Sequence, residues 1–224
     1  MLRWITSAKW SALVACGVIA AAAASFSAAA QEQLVEGKDF QRMKNPQTVE
    51  SGNKVEVMEF FSYGCPHCRD LEEFLGPWTK KVPADVSFKR VPVAFQPAWI
   101  NLGKIYYTLE ALGREDLTPK VFQAIHGANV KLHEEGAFFD WAGANGLDVA
   151  KVKEMWGSFA VSSKMNRAKT LATNYAVDSV PMVFVDGKFV LRLTTQGGQG
   201  TVAHKNSAAA IDFLIAKARS ERKK

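Results

Sequence analysis

The sequence predicts an α/β fold in which a β-α-β unit and a β-β-α unit share one sheet, with a block of helices inserted between them. Three observations carry this. Val55 to Phe61 is a nearly continuous apolar, β-rich run of the kind that forms a central strand. From about Ala98 to Ala176, apolar residues recur at helical spacing almost throughout. After that block, Met182 to Val185, the Asp186-Gly187 pair and Lys188 to Leu193 read as two strands joined by a two-residue turn.

The elements follow in order. Phe40 to Met43 reads as a short edge strand stopped by Asn45-Pro46. Gly64 punctuates the central strand. The helix after it, Arg69 to Leu75, carries Leu71, Phe74 and Leu75 on one face and is expected to end near Gly76-Pro77. One or two further helical turns are expected from Trp78 to Lys81. Val86 to Val91 alternates like a strand. In the helical block, Leu102, Ile105, Tyr106, Leu109 and Leu112 form one stripe. Val121, Phe122 and Ile125 form the next, separated from it by Gly113 and Pro119. Phe138 to Ala142, then Val152, Met155 and Trp156, then Val161 to Tyr175 complete the block. A glycine-rich loop, Gln196 to Gly200, reads as a flexible connector and leads to a last helix from about Ser207 to Arg219.

Composition narrows the function classes. The chain has 224 residues, 48% hydrophobic and 22% charged, enough to bury a core. Residues 1–30 read as a cleaved signal peptide: Arg3 and Lys9 first, then an uncharged small-residue stretch, then Ala28-Ala29-Ala30 before Gln31. Leu13-Val14-Ala15-Cys16 also offers a lipoprotein processing box, preceded by only a few apolar residues. Cleavage after Ala30 lowers the net charge from +6 to +4, because Arg3 and Lys9 leave and no acid does. It also removes Cys16, leaving Cys65 and Cys68 as the whole cysteine complement. An exported chain with one cysteine pair is not a disulfide-stapled scaffold, so the pair reads as working chemistry. No basic stripe is interleaved with aromatics, which argues against nucleic-acid binding.

That pair is Cys65-Pro66-His67-Cys68, placed between the central strand and the next helix. A cysteine at a helix N-terminus has its anion stabilised by the helix dipole and by unpaired N–H groups. Pro66 suits the first turn, where a missing N–H costs nothing. His67 adds positive charge when protonated and lowers the Cys65 pKa further. Cys68 falls one turn later and deeper. Stabilising the Cys65 thiolate favours the reduced form, which makes the disulfide oxidising. Zinc needs four ligands, and His126, His133 and His204 are scattered. A static disulfide over so short a loop gains little. Glu59, a carboxylate in an apolar strand, has the makings of a proton relay to Cys68 if buried.

The run Glu59 to Cys68, together with Val180-Pro181 before Val183-Phe184-Val185-Asp186-Gly187-Lys188, resembles the DsbA-type thiol:disulfide oxidoreductases of the bacterial periplasm. The resemblance spans essentially the whole mature chain. It implies a thioredoxin fold built from residues 31–97 and 177–224, with 98–176 as an inserted all-helical domain. It implies that Cys65 is the exposed nucleophile and Cys68 the buried resolving cysteine. It implies that Pro181 is a cis-proline, setting the Val180 backbone beside Cys65 to bond an extended substrate. Glu59 matches a buried acid beneath the family's active site, and Glu72 and Lys89 match charged positions there. The alternative for those two is a surface ion pair. Met182, Phe61 and Tyr63 flank the site and read either as an apolar platform or as core, core being the better reading for Phe61.

The expected activity is donation of the Cys65–Cys68 disulfide to newly exported, unfolded cysteine-containing proteins. No dissociable cofactor or metal is required, and a monomer is expected. Reoxidation by a DsbB-type, quinone-linked membrane partner is implied by the resemblance. The alternatives are a disulfide reductase or isomerase, and a non-enzymatic holdase or copper metallochaperone.

Overall fold

The protein is described here by a computed structural model covering residues 34–223. Residues 1–30, read above as a signal peptide, and Cys16 within them lie outside the described residues.

The sheet is built around β2 (Val55–Phe61), all seven of whose residues are buried. It lies between β3 (Val86–Pro92), parallel to it, and β4 (Met182–Val185), antiparallel. β5 (Phe189–Thr194) follows beyond β4, and β1 (Gln41–Arg42) forms the edge, giving the order β1-β5-β4-β2-β3. A short β6 (Val202–Ala203) pairs with β5 just after the glycine-rich loop. Two residues carry too little pattern to announce a strand, and β6 was not foreseen.

The turn between β4 and β5 has Asp186 at φ 56° and Gly187 at φ 62°, both left-handed. A side chain on Gly187 would also strike the Gln47 carbonyl, so glycine is required there twice over.

α1 (Pro66–Thr79) buries Cys68, Leu71 and Leu75 along one stripe. It runs straight through Gly76-Pro77, where the sequence predicts an end. Gly76 has no Cβ to clash with the proline ring, and Pro77 stands so near the end that one lost N–H bond is tolerated. The turns expected over Trp78 to Lys81 are therefore the tail of the same helix.

Between β3 and β4 come α2 (Ala98–Ala111), α3 (Thr118–Phe122), a π-turn at Gln123–Gly127, α4 (Glu135–Ala144), α5 (Val149–Trp156) and α6 (Phe159–Asn174). Asp148 and Ser158 cap α5 and α6 through side-chain oxygens. α7 (Ser207–Arg222) closes the chain.

The sheet separates two apolar clusters. Val55, Val57, Val183, Val185 and Leu191 pack with Leu71 and Leu75 of α1 and Ile211, Leu214 and Ile215 of α7. Met58, Phe60 and Phe184 pack with Tyr175 and the inserted helices. Alternation along β2 therefore aims Glu59 toward the α1 face and Glu56 toward the insertion. Among the described residues no helix is long and apolar enough to cross a membrane.

Candidate active site

β2 ends at Phe61, and four residues later Cys65 stands as the N-cap of α1 in an extended conformation, φ −93° and ψ 117°. The Cys65 carbonyl accepts the first helical bonds, from the N–H groups of Cys68 at 3.1 Å and Arg69 at 3.2 Å. Pro66 occupies the first turn. Cys65 and Cys68 are both free thiols and both buried, so Cys65, expected to be exposed, is instead covered where its thiol meets the Val180 carbonyl.

Their acidities diverge. The Cys65 pKa is lowered to about 6. The largest cause is a hydrogen bond from the Cys68 thiol, opposed by burial and reinforced by the N–H groups of Cys68 and His67 and by the charge of His67. The Cys68 pKa is raised well above the thiol range, first by burial, then by Cys65, with the Glu59 charge adding to it. His67 is exposed, and its Nδ1 lies 3.5 Å from Thr195 Oγ1, just before the glycine-rich loop.

The other wall comes from far along the chain. The Val180–Pro181 bond is cis, and the Cys65 thiol donates to the Val180 carbonyl at 3.5 Å. The helical insertion supplies a third side. Trp99 of α2 packs so closely over Gly64 that a Cβ there would collide with its indole. Tyr63 is buried and shares a 3.0 Å hydrogen bond with Thr118. His126, in the π-turn, reaches the Tyr63 carbonyl through Nε2 at 2.8 Å. Phe61, Tyr63 and Met182 are all buried, so none of them offers a platform to a client chain.

Beneath the dithiol lies a chain of charges. Glu59 is buried in β2 and pairs with Arg90 Nε at 2.8 Å. Arg90 Nη2 in turn pairs with Glu72 of α1 at 2.6 Å. Burial raises the Glu72 pKa to about 7, against the pull of Arg90. Burial also works against the Arg90 charge, but Glu59 and Glu72 outweigh it and hold its pKa above the usual value. A cavity of about 710 Å³ between α1 and α3 is lined by Glu72, Arg90, Tyr106 and Phe122.

Lys89, expected at this site, is elsewhere. It pairs with Glu56 at 2.7 Å on the opposite face of the sheet. The register sets Arg90, not Lys89, beside Glu59. Arg90, Trp99, Thr118, His126 and Thr195 are the site residues that the sequence reading missed. Only Arg90 had a signal, since one residue of the pair Lys89-Arg90 had to face the Glu59 side.

The family model for DSBA-like thioredoxin domains matches residues 56–200. The chain is 38% identical to the thiol:disulfide interchange protein DsbA of Burkholderia cepacia, over 86% of this chain and 90% of that one. It is 35% identical to the DsbA of Pseudomonas aeruginosa, over 95% of this chain and 99% of the relative. The crystal structure of Pseudomonas aeruginosa DsbA superposes with a TM-score of 0.78 at 36% identity, covering 85% of this chain and 97% of the other. The thioredoxin fold with a helical insertion is thus common to them, and this chain belongs to the DSBA-like thioredoxin domain family.

Proposed function

We propose that the chain acts as the oxidant in thiol:disulfide interchange, with Cys65 as the attacked and departing sulfur. The observation that carries this is the placement of two thiols one helical turn apart, Cys65 at the α1 N-terminus against the Val180 carbonyl and Cys68 in the core, which lowers the pKa of the first and raises that of the second.

A substrate thiolate attacks Cys65 Sγ of the oxidised pair. The Cys65–Cys68 bond breaks, and Cys68 leaves and takes up a proton. A second substrate thiolate attacks the substrate sulfur of the mixed disulfide, and Cys65 leaves as a stable thiolate. Two electrons pass from the substrate dithiol to the two enzyme sulfurs, and the substrate gains a disulfide. An oxidant of this type is one whose reduced form is the stabilised one, and DsbA is itself the standard example.

Pro66 and His67 shape the first turn, and His67 adds charge near Cys65. The Val180 carbonyl, with Pro181 behind it, is placed to receive the backbone of an extended client beside the mixed disulfide. Glu59 and Glu72 serve as the proton relay to Cys68; Arg90 holds both carboxylates in place and keeps its own proton, and the cavity between α1 and α3 opens Glu72 to water. The two sulfurs hold the electrons, so no dissociable cofactor takes part. Clients are unfolded, newly exported proteins in the periplasm, reached after the leader is cleaved following Ala30. A DsbB-type quinone-linked membrane partner reoxidises the dithiol, and the protein works as a monomer.

The test is equilibration of the purified protein in glutathione buffers, reading the Cys65–Cys68 potential. An oxidising value supports the proposal. A value as reducing as that of thioredoxin sinks it and leaves the fold standing.

A further inference from the structure

The peptide unit between Tyr63 and Gly64 leads directly into Cys65, and it is held at both ends. Its carbonyl, on Tyr63, accepts from His126 Nε2 at 2.8 Å. Its N–H, on Gly64, donates to Ser62 Oγ at 3.1 Å. Around it, the Cys65 N–H closes a four-residue turn onto the Ser62 carbonyl at 3.1 Å.

In such a turn the closing bond leaves the middle peptide free to take either of two opposed orientations, the difference between type I and type II. Glycine at the third position makes both accessible, since it tolerates either sign of φ. What selects one orientation here is the pair of bonds on that peptide. Ser62 is local to the turn, whereas His126 comes from the insertion. It is delivered by the π-turn Gln123–Gly127, an uncommon wide turn of the sort that recurs where helices are shaped by function. Its ring stacks on Phe122 at 6.2 Å and 29°, which fixes its aim. A carbonyl only accepts, so Nε2 carries the hydrogen, and the bond survives protonation of the ring.

We propose that His126 is a positioning residue for the dithiol centre: it locks the Tyr63–Gly64 peptide so that the α1 N-terminus stays aimed at the Cys65 sulfur. It touches neither sulfur nor substrate. The inference rests on the redox reading of Cys65 and Cys68, and it assigns the inserted helices a part in tuning that centre.

The test uses His126→Leu and His126→Ala, which remove the donor, and His126→Gln, which keeps an N–H. In the reduced, full mature chain, the pH dependence of Cys65 alkylation by iodoacetamide reads the thiolate directly. Equilibration with glutathione reads the disulfide. The donorless variants are expected to titrate higher by about half a pKa unit, roughly threefold in thiolate at fixed pH. Their disulfides should become correspondingly less oxidising, and His126→Gln should stay close to the parent. Folded Leu or Ala variants that titrate as the parent does overturn the proposal. So does a Gln variant as impaired as they are, which marks His126 as mere packing. Should Leu unfold the chain, the smaller Ala decides, and should both unfold, the proposal fails in favour of a structural role. The titration needs no activity, so a parent that fails to oxidise clients overturns the proposed function without touching this inference.

Discussion

The Cys65 thiol donates to the Val180 carbonyl across 3.5 Å of space and 115 residues of sequence. That contact closes the site, because it sets one strand's entrance against the exit of another. It also leaves the sulfur in a place where its charge state governs both chemistry and stability.

The first prediction concerns that charge. The Cys65 pKa falls on folding from about 9 to about 6, so its anion stabilises the folded, reduced protein. For an acid with a depressed folded pKa, this contribution is fully present above the unfolded value and is lost as pH falls through the folded one. The oxidised form has no such ionisation. The stability of reduced over oxidised protein should therefore widen by about 1.4 kcal/mol between about pH 5 and pH 7, and further toward pH 9. Urea denaturation of both forms at several pH values checks this, and a gap that stays constant contradicts it.

A second prediction separates the causes of that acidity. The hydrogen bond from Cys68 is the largest of them. Cys68→Ser retains a hydroxyl donor, whereas Cys68→Ala retains none. The alanine variant should show the higher Cys65 midpoint when thiolate absorbance is titrated, by about one pKa unit on the scale of a single charge-assisted bond. Equal midpoints would shift the weight to the helix N-terminus and His67.

The third prediction concerns the buried charges. The Glu72 pKa rises on folding from 4.5 to about 7, so the folded state binds the extra proton. Stability therefore declines as pH rises from about 4.5 to about 7, by about 3 kcal/mol from this group alone. Glu72→Gln should flatten that slope. Arg90→Met should do the reverse, stranding Glu59 and Glu72, and cost about 3–5 kcal/mol near neutrality. The Arg90 loss should shrink in acid, where the carboxyls neutralise. Unfolding midpoints against pH for the three proteins decide both points.

Much of this was legible in the sequence, and for a definite reason. The apolar run Val55 to Phe61, the stripes of the inserted helices and the Asp186-Gly187 turn are all local signals, and they lie where they were read. The path of α1 through Pro77 departs from the sequence expectation because a proline in the last turn, preceded by glycine, costs one hydrogen bond without ending the helix. The missed site residues share a different cause. Whether Lys89 or Arg90 meets Glu59 depends on a one-residue register between strands, which no composition reveals. Trp99, Thr118, His126 and Thr195 reach the centre only through tertiary packing, and nothing in their own segments marks them.

The strand order has a consequence for how the protein comes into being. Chains are made from the N-terminus, and β2 carries the dithiol at its end. Its partner β4 is separated from it by the whole insertion. The first wall of the site is thus synthesised long before the second, and a nascent chain holds Cys65 with no Val180 to face it. Until the hairpin that follows the inserted helices is made, this thiol has the exposure of any client's.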